Sequence, residues 1–250
     1  TNDLNQTLQR LSSGLRINRA ADDAAGLAIA EGFRSVVRGA QVSQRNAQDG
    51  VSLVQTVEGA LSETTNILQR IRELAVQASN GTQSTNNRIS LNAEVRQLLA
   101  QIDDIALDTE FNGLRVLSSS QTVTLQTGAF TSQTLLVSVA GAKTSDLRVS
   151  PVSVSTYVQA VSAISTVDTA LQSINSLRSD LGAFQNRLEF TINTLAIQEE
   201  NSAASESFIR DADIAQETIR FTRNQILVSA GTSILAQANV VPQTALQLLG

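Results

Sequence analysis

EGFRSVVRGAQVSQRNAQDGVSLVQTVEGALSETTNILQRIRELAVQASNG, residues 31–81, is the stretch that decides the fold. Phe33, Ala40, Ala47, Val54, Leu61, Leu68 and Ala75 recur at every seventh position. Val57, Ile71 and Ala78 complete the 3–4 alternation that keeps one seam of a helix turned toward a partner. A single helix over about 24–79, rising about 1.5 Å per residue, reaches about 80 Å. A rod of that length does not fit inside a compact domain of 250 residues. The spacing therefore predicts an elongated, mainly α chain, an antiparallel helical bundle or coiled coil with a structural rather than an enzymatic role. Asp49 and Gly50 form a turn-like pair inside the stretch. The heptad stays in phase through Ala47, Val51 and Val54, so the helix is expected to continue, with a local bend at Gly50 left open.

Working toward the N-terminus, Leu4, Leu8, Leu11 and Leu15 mark a helix face, and Ser12-Ser13-Gly14 reads as its stop, Gly14 taking a left-handed cap. Asp22 or Asp23 then caps the long helix. Working the other way, Asn80-Gly81 ends it, and a third helix is expected over about 88–109 with Leu91, Val95, Leu98, Ile102 and Ile105 on one stripe. Asn112-Gly113 opens a small β region, about 114–150. There Val123/Leu125 and Leu135/Val137/Val139 alternate with polar residues around Gly128-Ala129. A fourth helix over about 156–199 carries Ile164, Val167, Leu171, Ile174, Leu181, Leu188, Ile192 and Leu195. A polar break is read at Asn201 to Ser207. A last helix follows over about 211–248, with Ile219, Ile226, Leu227, Ala230, Ile234 and Leu235, and Pro242 near its end. The core seam is expected at Val54, Leu61, Leu68, Ala75, Leu98, Ile102, Leu171, Leu181, Leu188 and Leu195. A weaker apolar set, Ile29, Val36, Val42, Leu53 and Val76, is left to face neighbouring molecules.

Composition narrows the chemistry. Histidine, cysteine, methionine and tryptophan are absent, which removes imidazole and thiolate metal sites, haem ligation and the Ser–His–Asp and Cys–His nucleophile systems. No cofactor is implied. The net charge of −5 leaves no basic footprint for nucleic acid, and no window has the apolar length of a membrane span. Of 18 basic residues all but Lys143 are arginine, whose planar fork suits packed protein contacts. Asp22-Asp23 reads as a helix start rather than a catalytic pair, and Asp103-Asp104 as a solvated helix face. Ser12-Ser13-Gly14 lacks the strand–turn–helix context of a nucleophile elbow. The hydroxyl-rich stretch 118–134 reads as hairpin and turn residues, with O-linked sugars an open alternative.

Both ends resemble bacterial flagellin. The resemblance is carried by RLSSGLRINRAADDAAGLAIAEGFRS (10–35), RNAQDGVSLVQTVEGAL (45–61), QRIRELAVQASNG (69–81) and TEFNGLRVL (109–117). At the other end it is carried by LGAFQNRLEFTINTL (181–195), ESFIRDADIAQE (206–217) and ILAQANVVPQTALQLLG (234–250). It implies a terminal helical domain made of 1–23 and 201–250, and a core domain over 24–200. The segment 140–157, where flagellins usually insert a variable outer domain, is too short to fold alone, so a minimal flagellin is implied. The first helix starts later than the family's, so a short preceding piece with an export signal is expected. The implied function is an exported, self-assembling subunit of the extracellular flagellar filament for swimming motility. The implied partners are other copies of the same subunit, hook-associated and cap proteins, and an export chaperone at the C-terminal helix. Polymerisation is expected to use Leu4, Leu8, Leu11, Ile219, Ile226, Ile234 and Leu235. Residues 69–77 also resemble the segment recognised by the flagellin-sensing Toll-like receptor of animals, a host innate immune receptor. Carried over by position, Arg70 and Leu74 are the principal contacts, with Gln69 and Glu73 beside them. Gln101 stands where strongly stimulating flagellins have glutamate. A hook–filament junction protein is the neighbouring reading, but junction relatives tend to have proline where this sequence has Ala24-Ala25-Gly26-Leu27. A soluble coiled-coil adaptor explains the heptads but not the apolar terminal helices. An inserted metalloprotease domain fails for want of histidine.

Overall fold

The computed structural model describes residues 2–248, with side chains described over 2–238. Five helices and two small antiparallel strand pairs make it mainly α: α1 Asn2–Ser13, α2 Ala24–Ala78, α3 Thr85–Asp108, β1 Glu110–Phe111, β2 Leu114–Arg115, β3 Gln121–Gln126, β4 Thr134–Val139, α4 Tyr157–Arg210 and α5 Ile214–Leu248. Two compact units are present, Gly39–Ile197 and the pairing of Thr1–Arg38 with Gln198–Gly250. The second of these takes in the opening turns of α2, which the sequence reading assigns to the core domain.

In the unit Gly39–Ile197, the heptad of α2 does what its spacing dictates. Ala40, Ala47, Val54, Leu61, Leu68 and Ala75 have no exposed surface. From Val54 onward they pack with Val95, Leu99 and Ile102 of α3 and Val167, Ile174 and Leu181 of α4 in one continuous core. Arg72 pairs with Asp168 at 2.7 Å and Arg178 with Glu58 at 3.4 Å, so numbers rise along α2 as they fall along α4 and the two run antiparallel. Arg72–Asp168 is solvent-exposed and Arg178–Glu58 is half-buried at the surface, and such pairs contribute about 0–1 kcal/mol each. Burying the apolar seam dominates, at about 1.5–3 kcal/mol for each large side chain.

No bend is needed at Gly50. The helix runs through it, and the glycine serves close approach: a Cβ there would strike Leu125 Cδ1 of β3. Eleven residues earlier on the same face, a Cβ on Gly39 would sit 2.7 Å from that of Ala129. Between them Asn46 Nδ2 donates to the Gln126 carbonyl at 3.0 Å. The β3–β4 hairpin thus lies along a shallow stripe of α2. Its register pairs Val123 with Val137 and Leu125 with Leu135, and β4 buries Leu135, Val137 and Val139 on alternate positions. The β1–β2 turn is Asn112-Gly113, both with positive φ (49° and 78°), the type I′ pattern that a two-residue hairpin prefers.

In the other unit α1 packs on α5. Gly14 takes φ +72° and donates its N–H to the Arg10 carbonyl, ending α1 as its sequence requires. The connectors that follow α1 and α4 then pair with each other. A bridge joins Leu15 to Asp211, Arg16 N donates to Arg210 O at 2.6 Å, and Ala212 N donates to Gly14 O at 2.9 Å. Asp23 caps α2 by accepting from Gly26 N at 2.9 Å.

One expectation is corrected. Asn201 to Ser207 is helical, not a break, and α4 continues to Arg210. The run is polar but holds no breaker. Ala203 and Ala204 favour helix, Ser205 Oγ bonds back to the Asn201 carbonyl at 2.8 Å, and Glu206 faces Arg210 one turn on. The helix breaks at 211–213, where Asp213 Oδ1 accepts from Ala215 N and Gln216 N and starts α5. Pro242 lies outside the residues with described side chains.

Candidate assembly and recognition surfaces

α5 has two unlike faces. Toward α1 it turns Glu217, Phe221, Asn224 and Val228, the 4–3–4 spacing of a helix seam, all at least half-buried. Glu217 is 4% exposed. Its Oε1 meets Arg10 Nη1 of α1 at 3.4 Å and Arg220 Nη1 at 3.0 Å, while its Oε2 has no partner among the described residues. On α1 the matching positions are Leu4, Thr7 and Leu11, with Thr7 buried, Leu4 and Leu11 half-buried, and Leu8 outside and half-exposed. The apolar positions of α5 that stand out in the sequence lie elsewhere and stay open: Ile219 69%, Ile226 62%, Leu227 58%, Ile234 68% and Leu235 65% exposed. Ile219, Ile226 and Leu227 line a shallow apolar depression with Thr218, Thr222 and Arg223. A row of β-branched and leucine side chains left in water on one helix is an unfinished surface.

The core positions named from sequence are buried at Val54, Leu61, Leu68, Ala75, Ile102, Leu181, Leu188 and Leu195. Leu98 and Leu171 are half-buried against the core, and on α3 the innermost stripe is Asn92, Val95, Leu99, Ile102 and Ala106. In the weaker apolar set, Ile29, Val42 and Val76 are exposed and Val36 is half-buried. Leu53 is buried, because α2 has neighbours on more than one side.

The residues of the recognition segment divide. Gln69, Arg70, Glu73 and Gln101 are exposed, whereas Leu74, named from sequence as a principal contact, is 1% exposed and packs in the core. Arg70 is held in place: Nη2 and Nε donate to Glu94 Oε1 at 2.9 and 3.0 Å, and Nη1 donates to Glu73 Oε2 at 3.0 Å. Glu94 first and Glu73 second raise the pKa of the guanidinium further above its ordinary value. Gln101 lies seven residues beyond Glu94 on the same face of α3.

Three polar anchors were missed or misread in the sequence. Asp22 accepts from Arg19 N at 2.9 Å, Asn18 N at 3.1 Å and Gln6 Nε2 at 3.2 Å, tying the first connector to α1. The Arg19 amide, followed by that of Asn18, holds its carboxyl below the usual aspartate value. Asp103, read as solvated, instead accepts from Thr144 N at 2.8 Å and Thr144 Oγ1 at 2.9 Å. Asn92 Oδ1 accepts from Val154 N at 2.9 Å and Ser153 Oγ at 3.0 Å. α3 therefore pins the segment leading to α4 at both ends. A polar residue at a seam position, as Asn92 and Glu217 both are, was the available signal.

Among the described residues no helix is long and apolar enough to cross a membrane. The bacterial flagellin N-terminal helical region matches residues 1–122, and the bacterial flagellin C-terminal helical region matches 164–249. A flagellar filament 31.3 kDa core protein of Treponema maltophilum is 45% identical, the alignment covering 97% of this chain and 91% of that protein. A flagellin of Halalkalibacterium halodurans is 46% identical over 98% and 91%. The crystal structure of Bacillus cereus flagellin superposes with a TM-score of 0.53 at 34% identity, covering 65% of this chain and 94% of that one. A putative flagellar hook-associated protein of Vibrio parahaemolyticus shares the fold at TM-score 0.63 with 10% identity.

Proposed function

Because the chain belongs to the bacterial flagellin family, it is a structural filament subunit and not an enzyme, and we propose that its copies join through the open face of α5. The observation that carries this reading is the exposed row Ile219, Ile226, Leu227, Ile234 and Leu235. Each of these side chains contributes about 1.5–3 kcal/mol when fully buried. With half to two-thirds of that still unrealised, the row offers about 4–10 kcal/mol gross per subunit, before the cost of association. A heterologous contact of this kind, one face meeting a different face of the next copy, propagates as an open helix of subunits.

The subunit leaves the cell through the flagellar export channel, and an export chaperone covers the C-terminal helix until assembly. Hook-associated and cap proteins meet the ends of the polymer. With no inserted outer domain between β4 and α4, the core unit itself forms the filament surface. The host Toll-like receptor engages Gln69, Arg70 and Glu73 with Gln101 alongside. Leu74 supports that surface from beneath. Arg70 already satisfied by Glu94 and Glu73, and glutamine at 101, favour weakened recognition.

The test is truncation. Removal of 211–250 is expected to leave the unit Gly39–Ile197 folded and to abolish seeded polymerisation measured by sedimentation. Polymerisation by the truncated protein would sink the assignment.

A further inference from the structure

We propose that Asn80 in the turn between α2 and α3 is a self-modifying site, converting by intramolecular cyclisation to aspartate and isoaspartate in the folded protein. Asn80 and Gly81 are exposed. Thr82 N donates to Asn80 Oδ1 at 3.1 Å. That bond turns the carboxamide C=O over its own backbone and places an N–H donor on the oxygen that becomes negative when Cγ is attacked. The attacking atom is Gly81 N. Among the described residues no acceptor holds its N–H, and a Cβ at Gly81 would meet nothing within 4 Å, so no neighbouring segment crowds the turn.

The step balances with water alone. Gly81 N forms a bond to Asn80 Cγ and loses its proton, the Cγ–Nδ2 bond breaks, and ammonia leaves with that proton. The resulting five-membered imide is then opened by water. Cleavage of the Cγ–N bond gives aspartate. Cleavage of the original peptide bond, between the Asn80 carbonyl carbon and Gly81 N, gives isoaspartate, with one extra carbon in the backbone. Either product puts a carboxylate just beyond the C-terminus of α2, where the helix dipole disfavours it. The isoaspartate also displaces the Asn80 carbonyl. That carbonyl accepts from Arg88 Nη2 at 3.0 Å, while Arg88 Nε bonds the Ala78 carbonyl at 2.8 Å. Conversion thus loosens the clamp that closes the turn.

The protein holds an internal control in its other Asn-Gly pair. Asn112 and Gly113 are also exposed, but they form the left-handed turn that closes the pairs Phe111↔Leu114 and Glu110↔Arg115, and among the described residues no donor reaches the Asn112 carboxamide oxygen. Cyclisation there must first distort a paired hairpin.

The experiment is to age the full-length protein in mildly alkaline buffer and map tryptic peptides by mass spectrometry, with isoaspartyl methyltransferase labelling as an independent readout. The peptides 73–88 and 97–115 carry the two sites separately, and fragmentation distinguishes Asn80 from Asn86 and Asn87. The folded protein is expected to convert Asn80 about tenfold faster than Asn112, well below the roughly hundredfold or more that a preorganised oxyanion donor supplies in an enzyme. In denaturant the two rates are expected to converge. Thr82→Pro, which removes the donor, is expected to slow Asn80 toward Asn112, with circular dichroism reporting that the variant is folded. Equal rates in the folded protein, or a preference unchanged by denaturant, would overturn the proposal.

Discussion

Replacing Asn92 by alanine tests whether α3 holds the segment before α4. Asn92 is buried, and its Oδ1 accepts both Val154 N at 2.9 Å and Ser153 Oγ at 3.0 Å. The serine hydroxyl keeps alternatives in Ser155 Oγ at 3.2 Å and Gln159 Oε1 at 3.5 Å. The Val154 amide, in a residue with no exposed surface, keeps none among the described residues. A stranded buried donor costs about 1–3 kcal/mol, and the deleted carboxamide leaves a small void beside it. The expected loss is about 2–3 kcal/mol, which for a domain of this size lowers Tm by about 5–10 °C. Ser153→Ala leaves the Val154 amide satisfied and is expected to cost below about 1 kcal/mol. Thermal melting followed by circular dichroism gives the comparison. A Ser153→Ala variant as damaged as Asn92→Ala, or an Asn92→Ala variant with unchanged Tm, would refute the reasoning.

Leu61→Asp puts a carboxylate into a core position with no exposed surface and is expected to unfold the unit Gly39–Ile197; native helicity and Tm in that variant would contradict the packing. Arg10→Ala removes one partner of the buried Glu217 while Arg220 remains, for a loss of about 3 kcal/mol at the low end for such pairs. It is read as amide exchange in α1 of the assembled protein about a hundredfold faster, with Arg10→Met plus Glu217→Leu restoring protection. Asp22 has a folded pKa below its unfolded value of 3.8. Its contribution is therefore fully present above that value and is lost as pH falls through the lower, folded one. Exchange at the Asn18 and Arg19 amides is expected to rise in that acid window, and Asp22→Asn is expected to abolish the pH dependence.

What the sequence made legible was periodic. A heptad needs only local spacing, so the path of α2 and its inward residues could be read directly, and the two matching termini carried the family. What it hid was of two kinds. The first was width: α2 packs against more than one neighbour, so Leu53 and Leu74, off the principal seam, are buried as well. The second was distance. Asn92 meets Val154 across 62 residues and Asp103 meets Thr144 across 41, and no local pattern announces such a pair. At Gly50 the heptad rightly outweighed a turn-like pair, whereas at Asn201–Ser207 polar composition was mistaken for a break. Turn-like composition is a weak prior, and a docked hairpin or a continuous helix field overrides it. On α5 hydrophobicity pointed to Ile219, Ile226 and Ile234, while the face that meets α1 is organised around a buried glutamate.

Electron microscopy of the full-length protein after seeded polymerisation tests the filament reading most directly. Paired samples carry Ile219→Asp or Ile226→Asp, both on exposed positions that leave each unit's own core untouched. The expected result is smooth, continuous filaments from the unaltered protein and folded, unpolymerised monomers from the variants. Filaments of ordinary length from both variants, or persistent monomers from the unaltered protein under conditions that polymerise a control flagellin, would contradict it.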